Sequence, residues 1–269
     1  MGHFWLRIAL VLYSLGLLHA VVTVIRRKQR VFRVALAAIS FGVVLHLVAL
    51  VEDGLTIGHF PATNLREAAS LSAFLLACAF LLVHWRYRFQ SLGVLVFPLM
   101  FVLTLPAALD RSTESWELPV LRTTWLYLHV SLIVLGYAAF FLTFAAGVMY
   151  LIQERELKSK RPRAFYYRLP PLETLDDLAY KSLSIGFPFI TLGIVSGALW
   201  ASSVWGSDWP TDPKIAWSFA TWLIYLLLLC ARWVIGWRGR KAAYFAIIGF
   251  IAILVTWSTN SGVHSFVFR

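Results

Sequence analysis

Apolar residues in this chain fall into eight long runs, and the charged residues cluster in the gaps between them. A helix that crosses a hydrocarbon core about 30 Å thick needs on the order of 20 mostly apolar residues. Runs of that kind cover about residues 4–25, 34–52, 68–84, 91–109, 125–152, 182–205, 215–235 and 242–262. They predict an all-α integral membrane protein, a bundle of eight transmembrane helices. The first run is too long for a signal-peptide core and no small-residue cleavage site follows it, so it is expected to remain as a helix. No soluble domain interrupts the series, and residues 1–269 read as one transmembrane domain.

Composition agrees: 60% of the residues are hydrophobic and only 14% are charged, where a soluble domain carries roughly 25%. A soluble enzyme is thereby excluded. The net charge of +11 would suggest nucleic acid in a soluble protein, but its placement says otherwise. One set of alternate loops and helix ends holds Arg26, Arg27, Lys28, Arg30 and Arg33, then Arg86 and Arg88, then the basic residues from Arg155 to Lys181, then Arg232, Arg238, Arg240 and Lys241. The other set keeps only Arg7, Arg66, Arg111, Arg122, Lys214 and Arg269. Cytoplasmic loops are enriched in Lys and Arg, which puts both termini outside and makes anionic lipid at the inner face the expected partner of the basic surplus, with no nucleic acid. Cys78 and Cys230 both lie in apolar runs and cannot form a disulfide framework.

The longest inside segment, about 153–181, has a basic stretch, a break at Pro170 and Pro171, and LETLDDLAYK, which reads as a short surface helix. Outside, the segments GHFPATNLREA (58–68), DRSTESWELP (110–119) and WGSDWPTDPKIAW (205–217) are short loops.

A neutral imidazole in an apolar site can ligate a metal or haem iron through its ring nitrogen. His3 and His84 read as solvent or headgroup contacts, His19 as an interhelical polar residue and His59 as a loop histidine. His46 is well inside the second run, where a polar side chain needs a partner, a cavity or a cofactor. His129 and His264 fall at the outer ends of two runs, at about the same depth. Two such imidazoles either clamp a planar iron macrocycle from opposite faces or sit as interfacial residues. Of the 12 tryptophans, Trp200, Trp205, Trp209, Trp217 and Trp222 fall between positions 200 and 222. An interfacial belt would spread its indoles over all helix ends. This concentration instead makes a stacking surface of the kind a porphyrin face needs. Pro210 and Pro213 break the segment into a shaped outside platform.

These blocks resemble the cytochrome c assembly family, the CcsA/ResC type of haem-handling membrane proteins. The likeness runs through PATNLREA (61–68), HVSLIVLGYAAFFLTFAAGVMYLIQERELK (129–158), LETLDDLAYKSLSIGFPFITLGIVSGALWA (172–201), WGSDWPTDPKIAWSFATWLIY (205–225), GWRGRKAA (236–243) and SGVHSF (261–266). The resemblance implies a cytoplasmic-membrane protein whose tryptophan-rich loop faces outward. It further implies that reduced haem b is held there transiently, for thioether attachment to the CxxCH motif of apocytochrome c, as part of a holocytochrome c synthase. By position, His129 and His264 are then axial ligands, while Trp205, Trp209, Asp212, Trp217 and Trp222 shape the platform. A CcsB/ResB-type membrane partner is implied as well.

Two departures stand out. The family motif WxWDPKE is here Trp209, Pro210, Thr211, Asp212, Pro213, Lys214 and Ile215, without the central Trp and the Glu. A family histidine in the seventh helix, a ligand for haem in transit, is replaced by Cys230, read here as a packing cysteine, with His46 as a possible substitute ligand. A HemX-like regulator of tetrapyrrole biosynthesis and a haem exporter without synthase activity therefore remain alternatives. The glycines Gly136, Gly147, Gly186, Gly193, Gly197 and Gly249 read as close helix packing, and Pro106 and Pro188 as kinks or helix ends.

Overall fold

A computed structural model describes residues 2–25, 30–58, 60–62, 64–88, 90–109, 124–159, 169–205 and 212–259. They form eight helices: α1 (Gly2–Ile25), α2 (Arg30–Ile57), α3 (Leu65–Tyr87), α4 (Gly93–Leu109), α5 (Thr124–Lys158), α6 (Leu172–Trp205), α7 (Pro213–Val234) and α8 (Arg240–Ser258). All except α4 are long and apolar enough to cross a membrane. The contacts divide the chain into two compact units, one holding α1–α4 and the other α5–α8.

In the first unit neighbouring helices alternate in direction. Arg66 at the start of α3 donates to His3 at the start of α1 (3.4 Å). Arg7 donates from its Nε to the Ala108 carbonyl near the end of α4 (3.1 Å). The starts of α1 and α3 therefore share an end with the finish of α4. At 17 residues, or about 25 Å, α4 is short for a span, yet it runs antiparallel to α1. It continues through Pro98 and Pro106, so Pro106 does not end it. At its start α3 is capped by Asn64, whose side chain accepts from the Glu67 N–H (2.8 Å) and donates to the Glu67 carboxylate (3.0 Å), satisfying a free helix-end donor. It stops at Arg88, in the left-handed conformation (φ 55).

The second unit is an up-down arrangement around the stacked rings of Phe140 on α5 and Tyr225 on α7, 3.7 Å apart. Leu183, Ile190, Leu228, Leu229, Ala246 and Ile253 complete this buried centre. Ile190 and Phe140 close onto Gly136 and Gly186, where any side chain would collide with them, so helices α5 and α6 lie backbone to backbone. LETLDDLAYK is not a separate surface helix. It forms the first turns of α6, which runs 34 residues through Pro188 without ending there, because a part-buried ion pair between Asp176 and Arg232 ties these turns to the bundle.

Candidate functional site

His129 sits in the second turn of α5, and its imidazole reaches across to α6. The Gly193 carbonyl oxygen accepts from Nδ1 at 2.7 Å. A carbonyl can only accept, so Nδ1 carries the proton and Nε2 carries the lone pair. Gly197 lies one helical turn below Gly193 on the same face of α6. A Cβ there would overlap His129 Nδ1 and stand 2.5 Å from Cε1. The absent side chain is therefore the socket that lets the ring reach the carbonyl. Ser196 is buried, and its hydroxyl donates to the same Gly193 oxygen at 2.9 Å. Gly193 and Gly197, expected to serve only helix packing, thus hold an imidazole. Gly193 supplies its carbonyl and Gly197 the space, while a Cβ at Gly193 would meet Ile133 of α5, so in sequence both look like ordinary glycines at a helix contact.

Beside this, α7 begins with Pro213 in its first turn, and the Asp212 carboxylate caps it by accepting the Lys214 N–H (2.7 Å). Proline is preorganised for that position and has no N–H to leave orphaned. The segment 205–217, expected as a loop, is partly helical: Trp205 closes α6 and Trp217 lies on α7. Trp217 is 44% exposed. Trp222 lies deeper, donating its indole N–H to Thr191 Oγ1 (2.9 Å) and stacking on Phe187 at 5.7 Å between ring centres. Both Thr191 and Phe187 belong to α6, so α6 receives Trp222 about a turn away from the turn that receives His129. His264, His59, Trp209 and the Trp205 side chain lie outside the described residues.

The remaining candidate belongs to the first unit. His46 on α2 is fully buried and both ring nitrogens are engaged, Nδ1 with the Tyr13 hydroxyl of α1 (3.3 Å) and Nε2 with the Ser70 hydroxyl of α3 (2.9 Å). The imidazole ties three helices together. His19 is buried, as expected of an interhelical residue, with Phe32 5.3 Å from its ring. His84 is half-buried and has Phe32 and Phe80 as ring neighbours. Cys230 is exposed on α7, in line with Phe219, Leu223, Leu227 and Val234. Among the described residues nothing packs over it, since helical phase turns it to this exposed stripe.

At the opposite end of the second unit from His129 lies an arrangement that composition and motif reading had no means to find. Arg232 of α7 meets the Asp176 carboxylate of α6 through both terminal nitrogens (3.1 and 2.8 Å). The Gly239 N–H donates to the same carboxylate (2.9 Å). Arg232 is almost buried, with a side chain 6% exposed, and lies over the Tyr180 ring at 5.0 Å. Glycine at 236 and 239 permits the positive φ of that loop (74° and 65°). Among the described residues no group of three or more His, Cys, Asp or Glu could hold a metal ion.

Membrane-length apolar helices define a multi-pass helical membrane protein, and one of its imidazoles is fixed in a single tautomer in a glycine socket. Its sequence pattern places it further: the family described as Cytochrome C assembly protein matches residues 5–264, and the chain belongs to that family. It is 32% identical over 250 residues to a cytochrome c biogenesis protein CcsA of Heterosigma akashiwo, covering 78% of this chain and 77% of that one. Against a cytochrome c biogenesis protein CcsA of Guillardia theta, identity is 28% over 284 residues, covering 97% of this chain and 92% of the relative. Among solved structures, the cytochrome c heme lyase CcmF superposes with a TM-score of 0.73 over 98% of this chain at 21% identity. This chain spans about half of that protein, 47%, and the likeness speaks for the fold alone.

Proposed function

We propose that the chain is the haem-binding membrane subunit of a cytochrome c biogenesis system, holding reduced haem b transiently at the extracytoplasmic face for apocytochrome c. The observation that carries the reading is His129. Its Nδ1 proton is bound by the Gly193 carbonyl, and among the described residues no donor occupies Nε2, which is the form of imidazole that ligates iron. His264 is its proposed partner ligand. Bound haem would supply an iron for these two nitrogens and two vinyl groups, each of which gains a thioether when a CxxCH thiol adds its sulfur to one carbon and its hydrogen to the other.

The chain's own residues supply position rather than acid or base chemistry. The socket fixes the His129 ring, Asp212 and Pro213 start α7 at a set point, and Trp205, Trp209, Trp217 and Trp222 shape an aromatic shelf. Proximity and orientation are then the main contributions to rate. In this reading the tryptophan-rich segment faces outward from the cytoplasmic membrane. A CcsB/ResB-type partner completes the site, and anionic lipid meets the basic inner loops.

The test is the absorption spectrum of the dithionite-reduced full-length protein, purified with its co-expressed partner. The low-spin bis-histidine bands are expected in the wild type and absent from His129→Ala and His264→Ala. Unchanged bands in the double variant overturn the reading. Cytochrome c that matures normally in a strain lacking the chain, with haem-precursor levels altered, points to the HemX-like regulator instead.

A further inference from the structure

We infer that Gly197 and Ser196 are positioning residues that set the orientation and the electron donation of the His129 ligand, an inference that rests on the haem-ligand reading above. Gly197 acts by what it lacks. The imidazole occupies the space of its side chain, so even a methyl group displaces the ring from the Gly193 oxygen. Once freed, the ring loses both its direction and the hydrogen bond that decides which nitrogen holds the lone pair.

Ser196 acts through competition for one acceptor. Its hydroxyl and the His129 Nδ1–H both donate to the Gly193 oxygen, at 2.9 and 2.7 Å. A carbonyl oxygen has two lone pairs, so a second donor weakens what the oxygen offers the first. An imidazole whose N–H is bound more strongly is a more basic ligand and favours ferric over ferrous iron. The serine hydroxyl therefore moderates His129 and favours the reduced iron that attachment needs. A serine that merely satisfied its own helix would have no such effect.

The experiment compares five variants of the full-length protein, purified with partner and bound haem. Gly197→Ala is expected to lose haem affinity roughly 10-fold to 100-fold, the usual effect of disturbing a ligand's support, and to regain low-spin bands when imidazole is added. Gly186→Ala is the packing control, because a Cβ there meets Ala139 and Phe140 of α5 at 2.9 Å and not His129. It is expected to keep the wild-type spectrum. Ser196→Ala is expected to keep both ligands and shift the midpoint potential to more negative values, while Ser196→Thr, which retains a hydroxyl, stays near wild type.

The inference is overturned if Gly197→Ala keeps the wild-type spectrum, if Gly186→Ala loses the bands equally, or if Ser196→Ala leaves the potential where it was. His129→Ala separates the two levels. Lost bands in that variant, with Gly197→Ala and Ser196→Ala unchanged, remove the positioning roles alone. Retained bands remove the ligand and its supports together.

Discussion

An imidazole has two nitrogens to satisfy, and the buried His46 and the part-buried His129 do so differently. His129 commits Nδ1 to one carbonyl, and Nε2 is the nitrogen proposed for iron. His46 spends both nitrogens on neighbouring hydroxyls, which makes it a clasp for α1, α2 and α3. Replacing it by Leu leaves the Tyr13 and Ser70 hydroxyls without their partner, at a cost of about 1–3 kcal/mol. His46→Leu is therefore expected to lower the thermal unfolding midpoint of the detergent-solubilised protein while haem per folded chain stays at the wild-type value. Haem lost without a change in midpoint would make His46 a ligand. From sequence both residues are a lone histidine in an apolar run. Hydroxyls 24 and 33 positions away separate their roles, and no local pattern contains them.

Helices α5 and α6 are 35 and 34 residues long, about 50 Å each, well beyond the thickness of a hydrocarbon core. Hydropathy located their apolar parts and missed their polar extensions, because a periodicity of charge cannot tell a surface helix from the exposed turns of a long one. What ties the first turns of α6 to the rest is Asp176, held by Arg232 and the Gly239 N–H. Removing one member of a fully buried pair leaves an uncompensated charge and costs about 3–5 kcal/mol, less for this part-buried one, whereas replacing both by apolar groups is often neutral. Asp176→Ala is thus expected to lower the unfolding midpoint more than Asp176→Leu combined with Arg232→Met. A double variant worse than the single one would show that the pair is net stabilising. The tryptophan-rich segment teaches a related lesson. Five indoles marked it, yet Pro213 begins a helix instead of interrupting one, so the end of the expected loop, Trp217 included, is already held by α7.

Across the molecule, an even number of crossings keeps the termini on one side, and α4 is the crossing on which the parity depends. Its antiparallel course beside α1, secured by Arg7 and Ala108, supports the count of eight. A phosphatase fused after Arg269 is expected to be active and a fluorescent protein at the same place dark, as for an extracytoplasmic terminus. The opposite pattern would overturn the expected topology, and a second fusion at the N-terminus then tells seven crossings from an inverted eight. The number of helices and their rough limits were legible beforehand, because a bilayer imposes one length on any chain that crosses it, whatever the helices then touch. The ordered sequence blocks carried family membership in the same way. Contacts between helices follow no such external rule. Which glycine admits an imidazole, which serine shares its carbonyl, which aspartate meets Arg232 and which way Cys230 faces all depend on the rotation and closeness of particular helices, and these emerge only when the helices pack.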